Sequence, residues 1–256
     1  MPGRRAGGGA SQAGASARAR YRMLAGEYRR QRIAVRLVLT AAVAVIVLGL
    51  AGWRASVTAA ALAFVAHLAH TRYRPGPVTG WRRGALAERR TGRRLARLGR
   101  GYRVLHDRAL PGTPATNLDH LVIGPTGVHA IVSRRWRPGT RLWADRRRMW
   151  AGRRPVTTLP VAAVRIARTV GELLGAELGQ EVPVSAIVAV HGARLPDEGL
   201  EHRGAIFQQA ARLPGFVEEC PVVLTGAQVA AIAAAAERVL PPMLNAVAQG
   251  ARGLRG

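Results

Sequence analysis

From Ile33 to Trp53 the chain carries one charge, Arg36, and its apolar residues surround the helical wheel instead of forming a stripe. At ~1.5 Å per residue, a helix over this stretch matches a hydrocarbon layer of about 30 Å. It is predicted to be a transmembrane helix, with Arg36 near one end able to snorkel to the headgroups. The alternative is a buried helix of a soluble protein. Ala55 to Thr71 is a second uncharged run, rich in alanine and containing His67 and His70. Alone it is marginal as a span; packed on the first run it can cross. The pattern predicts a helical hairpin over residues 33–71, turning at Gly52, Trp53 and Arg54.

Downstream the period changes. Residues 72–80 contain PGPVTG and are predicted to be a linker. Ala85 to Leu98 reads as a helix with Leu86, Leu95 and Leu98 inward, ended by Gly99 and Gly101. Tyr102–His106, Leu118–Ile123 and Val128–Arg134 read as strands, the last two joined by the turn Gly124-Pro125-Thr126-Gly127. A helix from Pro160 to about Leu178, a buried strand over 182–190, and a helix capped by Thr225 with Gln228 and stopped by Pro241 complete the pattern. The expected fold is α/β: a mixed sheet flanked by helices over residues 81–242, behind the hairpin. Residues 1–32 form a basic tail, of which 1–20 are predicted to be disordered, and 243–256 a second, flexible tail.

Charge locates the basicity. All 39 basic residues are arginine against 14 acids, which excludes chemistry that needs a lysine amine. Such a composition also fits a coding bias, so part of the net +25 need not be functional. Residues 1–36 carry +8 and residues 72–154 carry +17, whereas 155–256 carry −1. Only Arg54 lies between the two apolar runs, so the positive-inside rule predicts a cytoplasmic-membrane protein with both flanks, and the soluble domain, in the cytoplasm. Anionic lipid is the expected partner of the tail. The lone Cys220 excludes an internal disulfide and a thiolate zinc cage, and suits a reducing compartment.

Four segments carry a family resemblance: AERR around Glu88, YRVLHDRALPG at 102–112, NLDHLVIGPTGVHAIV at 117–132 and IVSRRW at 131–136. They resemble the nuclease-related domain (NERD), whose pattern is a GE-type helix, a "vlhd" strand, an "n-DH-vvgp-GV" hairpin and an "I-(D/E)-x-K" strand. DHLVIGPTGV is the specific part. The resemblance implies the restriction-endonuclease-like fold of the PD-(D/E)xK superfamily and divalent-metal-assisted phosphodiester hydrolysis. In that chemistry two carboxylates hold a hard cation, Mg²⁺ if the domain is active, and a metal-bound water attacks the phosphate beside a lysine. Carried over by position, Glu88 matches the helix glutamate and Asp119 the first strand carboxylate, the metal ligand. Val132 stands where the second carboxylate belongs and Arg134 where the lysine belongs.

If the hairpin turns tightly, Ile123 opposes Val128 and Asp119 falls opposite Val132, with Arg134 the diagonal neighbour. A glycine bulge at Gly127 would put Ser133 there instead. Asp119 shares its strand face with Leu121 and Ile123, so its charge needs neutralising. The expectation is that Arg134 replaces the metal as counter-charge, the alternative being that Asp119 sits at an edge in water. His120 and His129 are expected on the opposite face, in solvent.

Residues 134–154 hold nine arginines, one acid, and Trp136, Trp143 and Trp150 at intervals of seven. Arg135, Arg137 and Arg147 with the three indoles suit single-stranded or distorted nucleic acid, since guanidinium binds phosphate and indole stacks on bases. The indoles could equally pack the outer strands while the arginines form a solvated face. Three functions stay open: a catalytically degenerate nuclease-related domain that contacts nucleic acid or another polyanion, an active metal-dependent nuclease using Glu88, Asp119 and Arg134, and a membrane scaffold.

Overall fold

The structure is a computed structural model that describes residues 15–73, 77–111 and 117–243. The portions of the predicted tails at 1–14 and 244–256, and linker residues 74–76, lie outside the described residues. The chain divides into two compact units whose boundary falls between Arg83 and Gly84.

The first unit is dominated by α1 (Ala15–Tyr73). Residues 15–20, expected to be disordered, belong to this helix, and the stretch after them is rich in Arg, Ala, Met, Leu and Gln, all good helix formers. Instead of two separate helices there is one helical element, broken where Gly52 takes φ 78°, ψ 177°, a region open essentially to glycine alone. Ser56 Oγ donates to the Ala44 carbonyl at 2.7 Å, and the Arg36 guanidinium lies 5.3 Å from the Phe64 ring centroid. In a straight helix those pairs would be about 18 and 42 Å apart. The chain therefore reverses at Gly52 with nested contacts, and one glycine does what a three-residue turn was expected to do. Ile33–His70 is long and apolar enough to cross a membrane, and Leu37, Val38, Val45, Ile46 and Leu50 are exposed.

The second unit opens within α2 (Pro77–Leu95). Pro77 to Gly80, expected as linker, are helical, because proline in a first turn lacks only an amide the helix does not use. There follow β1 (Arg103–Ala109), β2 (Asn117–Gly124), β3 (Gly127–Arg135), then the short β4 (Leu142–Ala144), β5 (Met149–Ala151) and β6 (Arg154–Pro155). After them come α3 (Thr158–Leu178), β7 (Val184–His191), β8 (Leu200–His202), β9 (Ala205–Gln209), α4 (Leu213–Glu219) and α5 (Gly226–Val239). The main sheet has the order β1-β2-β3-β7-β9-β8; β3, β7 and β9 run parallel and the other neighbours antiparallel. β4, β5 and β6 form a separate antiparallel sheet from the stretch read only as a basic ribbon.

Both faces of the main sheet are covered. Leu121, Ile123, Val128, Val132, Val188 and Phe207 pack on α3 and α5 through Val170, Leu174, Ile232 and Ala236. Val122, Ile131 and Ile187 pack on Leu95 of α2 and on Leu213 and Val217 of α4. Each such side chain contributes about 1.5–3 kcal/mol on burial. The predicted capping box of α5 is present, Thr225 and Gln228 bonding each other reciprocally.

Candidate functional site

The β2–β3 hairpin has the expected tight register. Ile123 opposes Val128, and pairing continues to His120 opposite Ile131. Gly127 has φ 115° but introduces no bulge. Pairing stops one residue short of Asp119. On the other side, β1 pairs with β2 from Arg103–Ile123 to His106–His120 and again at Arg108–Leu118, skipping the row of Asp107 and Asp119. Asp107 is left-handed there, φ 53°. Alternation breaks at the same row, since Leu118 and Leu121 share one core although three residues apart. The ladder is thus interrupted on both sides of Asp119, and Asp107, which sequence reasoning assigned no role, lies across from it.

Asp119 is buried, which excludes the edge-in-water alternative. Its Oδ2 accepts from the Ser133 amide at 2.7 Å, while Arg134 Nη1 stands 4.0 Å away on a half-exposed side chain and donates to the Ser133 carbonyl at 2.9 Å. The nearest group is a backbone N–H, and Arg134 is the larger of the two influences that favour the charged form. Burial raises the Asp119 carboxyl to about 6, opposed by Arg134 and by the Ser133 amide, and assisted by Asp107. Val132, at the second carboxylate position, is part of the hydrophobic core.

α2 brings Glu88, Thr91 and Leu95 inward, the spacing of one helical face. Glu88 is buried and pushed up to about 9 by desolvation, then by Asp119 and Asp107, with Arg134 opposing. At neutral pH it holds its proton. Thr91 bridges the site outward: Ser133 Oγ donates to Thr91 Oγ1 at 2.9 Å, and Thr91 Oγ1 lies 2.8 Å from His191 Nε2. This chain of Ser133, Thr91 and His191 was invisible to motif reasoning. Its one signal is that Glu88 and Thr91 share the helix face of Leu95.

His120 and His129, expected in solvent, are buried because α2 and α4 cover their face. His106 Nδ1 and His120 Nδ1 approach to 2.7 Å with rings edge to face, so one donates to the other. Burial lowers His106, His129 and His191 to about 4, and His120 well below its ordinary value, so all four are neutral. His191 is held down further by Arg94, Arg90 and Arg135, which bring positive charge to the ends of β3 and β7.

The remaining predicted residues lie elsewhere. Trp143 and Trp150 are cross-strand partners on β4 and β5, stacked at 5.6 Å with planes 14° apart. Trp143 is 42% exposed. Trp136 instead packs against the main core, its amide donating to the His191 carbonyl at 2.9 Å. The interval of seven thus places two indoles together and one apart. Arg135 is exposed at the end of β3 and Arg137 just beyond it, and Arg147 is exposed in the β4–β5 turn, its amide bound to Asp145 Oδ1 at 2.7 Å.

A six-stranded mixed sheet between helices, with an inward acid on the leading helix and another on the central hairpin, defines this as a mixed α/β domain. Residues 83–191 match the family model of the nuclease-related domain, and this part of the chain is a nuclease-related domain. No curated protein and no solved structure matches the chain. Val132 offers no ligand at the second carboxylate position, and Asp119 Oδ2 is engaged by an amide. Among the described residues no three His, Cys, Asp or Glu side chains gather as a metal site.

Proposed function

We propose that this is a membrane-anchored nuclease-related domain whose catalytic centre has become an internal polar network, and which contacts single-stranded nucleic acid or a related polyanion. The observation that carries the reading is the Asp119 carboxylate: it accepts from the Ser133 amide at 2.7 Å, opposite a core valine and near Arg134 at 4.0 Å. A carboxylate held this way stabilises the end of a strand ladder, and with Val132 opposite it the family's second strand carboxylate is missing as a ligand. The stacked Trp143 and Trp150, with Arg147 in the turn between them, support the contact with nucleic acid, since an exposed indole among guanidinium groups accepts bases and phosphates. The apolar α1 supports a membrane anchor, and the arginines flanking it support a cytoplasmic domain.

The test is an incubation of the purified chain with labelled single-stranded oligonucleotide, with and without Mg²⁺. Binding that weakens steeply with salt, without cleavage, is expected. Mg²⁺-dependent cleavage abolished by Asp119→Ala refutes degeneracy, and absence of binding leaves the scaffold. Orientation is read by cysteines placed in the N-terminal segment and in the domain on a Cys220→Ser background. Both should be protected from impermeant reagent in whole cells; labelling of the domain alone refutes the hairpin topology.

A further inference from the structure

Away from Asp119, three elements enclose a cavity of about 450 Å³. The β4–β5 turn supplies Arg146, Arg147 and Arg148, the β8–β9 turn supplies His202 and Arg203, and the residue before α3 supplies Thr157. Among the described residues no carboxylate lines it. Asp145, next in the turn, is turned onto the backbone, accepting from the Arg147 and Arg148 amides at 2.7 and 2.6 Å, so it offsets part of the charge without occupying the cavity. Four exposed guanidinium groups converge on this concave space, a concentration of positive charge that an anion can bridge.

Arg203 sharpens the point. It stands at φ 52° before Gly204 at φ 77°, the two left-handed residues of a two-residue hairpin turn between His202 and Ala205. Asparagine or glycine suits that position; arginine is held there at a cost. Its Nη2 donates to the Arg147 carbonyl at 3.4 Å, which aims the guanidinium across the cavity and joins the small sheet to the main one. Thr157, the residue before α3, borders the same space and makes no side-chain cap bond.

We propose that this cavity binds a compact polyphosphate, two or more linked phosphoryl groups, free or as the phosphate chain of a nucleotide. Several fixed guanidiniums match adjacent phosphoryl groups better than a single monoanion. The site goes beyond the nucleic-acid reading, because Arg203, His202 and Thr157 lie outside residues 134–154.

The test is calorimetric titration of the full chain in detergent at physiological ionic strength, with tripolyphosphate as probe. Saturable binding is expected, tighter than for inorganic phosphate. Arg203→Gly should weaken it by roughly tenfold or more, the loss of a charge-assisted hydrogen bond, while the melting temperature stays level or rises because glycine suits the turn. Arg147→Ala should weaken it too, although the carbonyl used by Arg203 is kept. Adenosine triphosphate binding at least as well as tripolyphosphate, with adenosine silent, assigns recognition to the phosphates; adenosine competing for the site overturns that assignment. No saturable tripolyphosphate binding, or undiminished binding in both variants, overturns the site. Arg203→Gly should leave oligonucleotide binding intact and Trp143→Ala should leave tripolyphosphate binding intact, so the two readings fail separately.

Discussion

Glu88 makes the polar centre measurable as a proton. Burial beside Asp119 and Asp107 raises it from 4.5 to about 9. The folded chain therefore keeps a proton that the unfolded chain releases above pH 4.5. Where the native state binds the extra proton, stability falls as pH rises, by at most about 1.4 kcal/mol per pH unit for one group. Between pH 5.5 and 7.5 that amounts to about 2.7 kcal/mol, a large share of the 5–15 kcal/mol typical of a domain. Asp119, itself raised to about 6, titrates together with Glu88, so the measured slope belongs to the pair and steepens below pH 6. Glu88→Gln keeps the shape and removes the proton. Urea midpoints of the detergent-solubilised chain, followed by tryptophan fluorescence at several pH values, should show the wild type losing stability relative to the variant as pH rises to about 9. The buried histidines drive stability in the opposite direction but are common to both chains, so they cancel in the difference. Parallel profiles would show that Glu88 is ionised in the folded state and refute the reasoning.

Other substitutions separate packing from chemistry. Trp136→Ala should cost about 3–5 kcal/mol and lower the melting temperature, because Trp136 packs on the main core, while Trp143→Ala should cost only about 0.5–1.5 kcal/mol and lose oligonucleotide binding. His129 is lowered to about 4, so its contribution is complete above pH 6.5 and is lost as pH falls toward 4, up to about 3 kcal/mol. His129→Leu should flatten the acid limb of a melting profile, and an unchanged limb would show that the ring accepts a proton in place. Val132→Asp with Arg134→Lys restores the family pattern but buries a second carboxylate beside Asp119, so the double variant should melt several kcal/mol lower and recover in part with Mg²⁺. Recovery equal to that of Val132→Asp alone would show that Arg134 does not compete for the site.

What the sequence disclosed follows from the range of each interaction. The β2–β3 register was legible because one tight turn ties strand pairing to chain spacing, and the capping box of α5 because its partners are three residues apart. Asp107 stayed hidden because β1 and β2 are joined by a long connection, so no turn geometry could place it across from Asp119. Burial of His120 and His129 depended on α4, which lies some eighty to ninety residues later in the sequence and carries no local mark of the face it covers. The indoles show the same limit in small. A spacing of seven is shared by three residues, but hairpin pairing joins only Trp143 to Trp150, and Trp136 is claimed by the main core through its bond to His191. The replaced Val132 could be seen in the sequence, yet the network around Asp119 could not. The Asp119 oxygen accepts from the Ser133 amide, and Ser133 carries the network through Thr91 to His191, where Arg90, Arg94 and Arg135 gather. The family's acid thus survives as the inner end of a hydrogen-bonded path to a basic surface, so Thr91→Val should loosen the Asp119 strand end and the His191 environment together.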